Sequence, residues 1–163
     1  MKRDLKDCTF IIPVRIESED RLRNVITVLC YLVSNFDTNI IVKEVDKESV
    51  FAERALPQIQ EFCEDASCIR HIFEKSDDPL FLREKILNEM LVETTTKVVV
   101  NYDCDVLFEP EVYLEAYRRI MEDECDMVYP YGEGPWQYRV RATDQVVSDF
   151  LNEDFDFKIL QNA

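Results

Sequence analysis

Two aspartates, Asp103 and Asp105, flank Cys104 directly after the apolar run Val98–Val100 in the stretch VVVNYDCDVLFEP. In an extended chain, residues two apart point to the same side, so both carboxylates face one way and the thiol the other. Two carboxylates with no His or Cys ligand beside them suit a hard divalent cation, Mg²⁺ or Mn²⁺. A solvated turn would use the same residues. A second triplet, Asp154-Phe155-Asp156, follows from the acidity of the tail alone. Position separates the two. Only Asp103 and Asp105 follow a strand-like run, and parallel sheets bind ligands beyond the carboxyl ends of their strands.

The remaining composition narrows the chemistry. The formal net charge is −15 over 163 residues, a field that repels nucleic-acid backbones and excludes them as expected partners. The same field repels small anions. Two unit charges 4 Å apart interact by about 4 kcal/mol at an effective dielectric near 20. A phosphorylated ligand therefore needs a cation, because the chain has only two glycines, Gly132 and Gly134, too few for a glycine-rich phosphate loop. The six cysteines (Cys8, Cys30, Cys63, Cys68, Cys104 and Cys125) form no CxxC pair, and His71 is the lone histidine. Zinc is disfavoured, and reduced thiols in a cytoplasmic protein are expected. No apolar run is long enough to span a bilayer, and MKRDLKDCTF does not resemble a secretory leader.

Strand-like and helix-like segments alternate. Strands are expected at Thr9–Val14 (TFIIPV), Asn39–Val45 (NIIVKEV), Ile69–Glu74 (IRHIFE), Lys97–Tyr102 and Asp126–Tyr131 (DMVYPY). Helices are expected from Ser18 to about Phe36, from Ser49 to Cys63 with Pro57 in its middle, from Asp78-Pro79 onward, from Glu109-Pro110 onward, and over Thr143–Leu151. This alternation predicts an α/β domain with crossover connections, a mainly parallel sheet and helices on both faces. No linker, repeat or low-complexity stretch divides the chain, so residues 1–163 are expected to form a single domain.

Several segments together resemble glycosyltransferases of the GT-A fold, family 2 enzymes and the β-1,4-galactosyltransferase group in particular. They are TFIIPVR, the strand IIVKEVD ending in an acid, and the VVV strand running into DxD. FLREKILNEML, residues 81–91, is similar to the galactosyltransferase motif F-x-R-A-K-x-L-N, with Glu84 in place of the small residue. MVYPYG, residues 127–132, is similar to the segment after the DxD strand there. The resemblance covers about residues 8–132. It implies a Rossmann-like three-layer sandwich that binds a nucleotide-diphosphate sugar, UDP favoured, through Mn²⁺ or Mg²⁺. It further implies transfer of the sugar to a saccharide or other hydroxyl acceptor, with inversion. By the same resemblance Pro13, Val14 and Arg15 line the nucleotide, Glu44 contacts base or ribose, and Arg83 meets the nucleotide or its phosphates. Asp103 stands on the ribose or metal side, and Asp105 ligates the metal.

Each residue also has a plainer reading. Arg83 can be part of a solvated helix face. Glu44 can pair with Lys43 or Lys47, and Arg15 with Glu17 or Glu19. His71 among apolar neighbours reads as a structural histidine, and Asn88 as a helix-to-loop hydrogen bonder. Trp136 suits either sugar stacking or a surface loop. Family members run well past this length, and no acid here falls in a recognisable base motif, so no catalytic base is assigned. The chain is expected to be a truncated, donor-binding part of such an enzyme. Two rivals stand beside this expectation: a non-catalytic nucleotide-sugar-binding or interaction domain, and a nucleotidyltransferase.

Overall fold

The computed structural model describes residues 2–131 and 139–163. Gly132, Gly134 and Trp136 lie outside them. The chain divides into two compact units, Met1–Val106 and Leu107–Ala163.

The first unit is α/β. Its elements run β1 (Arg3–Val14), α1 (Glu19–Asn35), β2 (Phe36–Asp46), a π-helical turn (Phe51–Ala55) leading into α2 (Leu56–Phe62), β3 (Ile69–Lys75), α3 (Arg83–Leu91) and β4 (Val98–Asn101). The four strands form one sheet in the order β3-β2-β1-β4, and every pairing is parallel. The centre of β1 is an unbroken apolar run because helices cover both faces of the sheet. Pro13 is tolerated in this central strand for a specific reason. Its parity aims its missing N–H toward β4, whose pairing with β1 ends at Ile11↔Asn101.

Residues paired across parallel strands share a face. Ile11, Ile41 and Val45 therefore point one way and pack with Ile86, Leu87 and Met90 of α3. Phe10, Ile12, Ile40 and Val42 point the other way and are at most 1 % exposed. On that side Phe51 of the π-turn lies against His71 of β3, and α1 packs on the π-turn and α2. Ser18 caps α1, its hydroxyl accepting from the Arg21 N–H at 3.2 Å.

Three expectations shift. The helix predicted from Asp78-Pro79 begins instead at Arg83. The Asp78 carboxylate takes the Leu80 N–H, and the Pro79 carbonyl is claimed by Arg15, so residues 79–82 are a loop. Pro57 does not interrupt a helix; it opens α2 directly after the π-turn. The widened turn gives the proline ring room and asks for no N–H from it. The fifth strand is not formed. Residues 126–131 are irregular, and Met127, Tyr129 and Tyr131 are exposed. Among the described residues no strand is hydrogen-bonded to them, and alternation without a ladder does not make a strand.

The second unit carries α4 (Pro110–Met121), α5 (Asp144–Asn152) and α6 (Phe157–Gln161). Phe150 is fully buried between Phe155 and Phe157. Asp154 and Phe155 adopt left-handed backbone, φ 54° and 58°, and Asp156 caps α6. The second D-x-D triplet is thus a turn and a helix cap. Among the described residues no helix is long and apolar enough to cross a membrane.

Candidate functional site

The carboxyl ends of β1, β2 and β4 and the start of α3 carry the residues singled out from the sequence. β4 ends at Asn101, so Asp103 and Asp105 sit in the turn that follows rather than on the strand. Tyr102 shapes this turn. Its ring packs edge-on against Phe10 at 5.4 Å, and its hydroxyl donates to the Val106 carbonyl at 2.6 Å. That bond closes the loop bearing both carboxylates.

Arg83 opens α3 and reaches this loop. Its Nη2 donates to the Asn101 side-chain oxygen at 2.9 Å and to the Asp103 carboxylate at 2.7 Å. The pair is open to water, with side chains 34 % and 55 % exposed, so its own stabilising value is small. Its significance is geometric: Arg83 and Asp103 meet across twenty residues of sequence. Asp105 is exposed in the same turn. Cys104 between them is no thiolate, since burial, then the Asp105 and Asp103 charges, push its thiol up to about 11. Among the described residues no group of three or more His, Cys, Asp and Glu side chains is arranged to hold a metal ion. The donor set still fits Mg²⁺ or Mn²⁺ in one way. These ions commonly take only one or two protein carboxylates and complete their shell with phosphate oxygens and water.

Arg15 lies just past β1 and is 7 % exposed. It pairs with neither Glu17 nor Glu19. Its Nε donates to the Val45 carbonyl at 2.9 Å and its Nη1 to the Pro79 carbonyl at 3.2 Å. The guanidinium carbon lies 5.4 Å from the centre of the Phe81 ring, a cation–π contact. The third nitrogen, Nη2, is buried without an acceptor. An unpaired buried donor on a cation is costly, and such a group invites an anionic or carbonyl partner. Pro13 and Val14 are buried in β1 on opposite faces of the sheet.

Glu44 has a different setting. It is fully buried on the α1 side of the sheet. Its carboxylate accepts from the Ser49 hydroxyl at 2.6 Å and the Phe51 N–H at 2.8 Å, with His71 Nε2 at 3.2 Å. Burial raises its pKa, but the bonds from His71, Ser49 and Phe51 outweigh burial and hold it below the ordinary carboxylate value. The expected partners Lys43 and Lys47 are not used. Lys43 projects under α3, where it pairs with Glu89 and, at 2.8 Å, Glu74. The structure thus brings Arg83, Asp103 and Asp105 to one rim, as the sequence suggested, and places Glu44, which the resemblance assigned to base or ribose, in the interior. It missed Asn101, Tyr102 and Phe81. The aromatic in NYDCD directly after the strand was the available signal for Tyr102.

No family model matches this chain, and no curated protein matches its sequence.

Proposed function

We propose that the chain is the donor-binding part of a GT-A-like glycosyltransferase that holds a nucleotide-diphosphate sugar, UDP favoured, and transfers the sugar to a hydroxyl acceptor with inversion. The observation that carries this reading is the meeting of Arg83, Asn101 and Asp103 at the carboxyl end of a parallel strand, with Asp105 exposed in the same turn. That is the end at which parallel sheets bind ligands. The unmatched nitrogen of buried Arg15, at the carboxyl end of the neighbouring strand, adds a second group suited to an anionic or carbonyl ligand.

In this reading Asp103 and Asp105 hold Mn²⁺ or Mg²⁺ against the diphosphate. When bound, the ion offsets the carboxylates and stabilises negative charge on the leaving diphosphate. Arg83 supplies an adjustable positive charge beside Asp103, and Arg15 orients the nucleotide from the floor of the site. Glu44 enters as a support, shaping the chain between β2 and the π-turn.

Calorimetry with UDP tests the reading. UDP is expected to bind with Mn²⁺ present, to lose affinity in EDTA, and to lose at least about tenfold in Asp105→Ala, roughly 1.4 kcal/mol. Equal UDP affinity in Mn²⁺ and EDTA would refute it.

A further inference from the structure

β3 (IRHIFEK) closes one side of the sheet, and among the described residues no strand pairs with its outer edge. The Ile40 N–H donates to the Cys68 carbonyl at 3.0 Å, and the Ser76 N–H to the Asp46 carbonyl at 2.9 Å. Bonding toward β2 therefore falls on the even-numbered residues between 68 and 76. The N–H and C=O of His71 and Phe73 turn to the outer edge, where they can template another strand. Side chains alternate as well. Arg70, Ile72 and Glu74 share the α3 face, on which Ile72 packs against the core there. Arg70 pairs with Glu93 at 2.7 Å, and Glu74 with Lys43 at 2.8 Å. Both pairs keep exposed carboxylates and guanidinium, and Phe73 on the other face is 39 % exposed.

We propose that this edge is a self-association surface, on which β3 of a second copy adds antiparallel about a two-fold axis at Ile72. The strand is complementary to its own reverse in that register. Arg70 falls opposite Glu74 of the second copy, and Glu74 opposite its Arg70. These are non-hydrogen-bonded positions, where facing side chains come closest. His71 falls opposite Phe73 of the second copy, each N–H donating to the other's carbonyl, and the symmetry repeats both bonds. Neighbouring registers lose the match. Moving the axis to His71 or Phe73 sets Arg70 or Glu74 against Ile72, and moving it to Arg70 or Glu74 sets like charges together. The matched register also builds a row of alternating charge, Glu93–Arg70 from one copy and Glu74–Lys43 from the other. Each copy carries a formal charge of −15, which opposes association. At about 0.15 M salt the Debye length is about 8 Å, so distant charges are screened more than directly opposed ones about 5 Å apart. β3 carries none of the residues given to the nucleotide, so the two proposals stand or fall separately.

Sedimentation of the full chain from about 1 to about 300 µM, in about 0.15 M salt, is expected to show a monomer–dimer equilibrium. The His71 and Phe73 amides are expected to exchange at least about tenfold more slowly at the top of that range than at the bottom. Arg70→Glu and Glu74→Arg each set like charges opposite at both symmetric positions, so each is expected to weaken the dimer at least about tenfold. An equimolar mixture of the two variants restores opposite charges at both positions and is expected to recover the dimer as a heterodimer. Mixing cannot rescue a variant that has lost its fold, so recovery separates the interface from a folding defect. A wild-type chain that stays monomeric across the range, a dimer indifferent to both substitutions, a mixture no tighter than the single variants, or unchanged His71 and Phe73 exchange in the dimer would each overturn the proposal.

Discussion

Glu44→Gln separates a supporting role from a ligand role, because the two predict different losses. The wild-type carboxylate has no exposed surface and takes three donors, from Ser49, Phe51 and His71. Glutamine keeps the volume and can keep the pairing: its carbonyl accepts from Phe51, and its amide can donate to Ser49 and to His71 Nε2. What it loses is charge. A hydrogen bond to an ionised group is worth about 1 kcal/mol more than a neutral one, so three bonds predict a loss of about 3 kcal/mol. That is a drop in the folding equilibrium constant on the order of a hundredfold. With a urea slope near 1.5 kcal/mol/M it is a midpoint about 2 M lower. Residue-resolved hydrogen exchange is the sharper assay, since slowly exchanging β2 amides report opening of the first unit. Their protection should fall on the order of a hundredfold. The sign with pH is also fixed. A carboxylate held below its unfolded value, about 4.3, stabilises fully above that pH and loses the contribution as pH falls through the lower folded value. The wild-type-minus-variant difference should therefore be constant above about pH 5 and shrink below about pH 4. If Glu44→Gln keeps β2 protection within about 0.5 kcal/mol while losing UDP affinity, the reasoning fails and Glu44 is a ligand residue.

Lys43→Met should be mild by contrast: Glu74 and Glu89 are 45 % and 37 % exposed and can turn to water once the lysine is gone, so urea unfolding should show a loss under about 1 kcal/mol. Burial lowers the Lys43 pKa, but Glu74 and Glu89 outweigh burial and raise it. Its contribution is thus present below the unfolded value near 10.4 and lost as pH rises through the higher folded one; the variant should lack that alkaline decline. Tyr102→Phe keeps the ring on Phe10 and frees the Val106 carbonyl, so amides in residues 103–106 should exchange roughly tenfold faster at a global cost near 1 kcal/mol. Unchanged exchange there would show that the hydroxyl does not set the carboxylate loop.

What could be read from the chain follows from which forces are local. TFIIPV and VVVN read as strands because a parallel sheet covered on both faces needs continuous apolar runs. β1 starts earlier, at Arg3, since Arg3 and Asp4 add ladder bonds to Phe36 and Asp37 that no hydropathy pattern announces. Strand parity alone puts Glu44 with Ile40 and Val42, and Lys43 with Ile41 and Val45. A strand flanked by helices must then bury both charges, each with its own partners. The partners were not legible, because Lys43 meets Glu89 and Glu44 meets His71 only after β2, β3 and α3 have assembled.

Arg15 makes the same point more sharply. Its neighbours Glu17 and Glu19 offered the obvious pairing, yet its guanidinium turns inward to two carbonyls, 30 and 64 residues away. Exposed ion pairs are worth so little that a near neighbour in sequence has no claim on a long side chain. Fixed carbonyls at strand and loop ends have a stronger claim because they otherwise lose water without replacement. The two arginines of the rim therefore differ in kind. Arg83 is wet and can exchange its partner at little cost, whereas Arg15 is locked by three contacts and keeps one nitrogen unmatched. A ligand that reaches both meets one adjustable cation and one fixed one, and the fixed one is the better source of orientation.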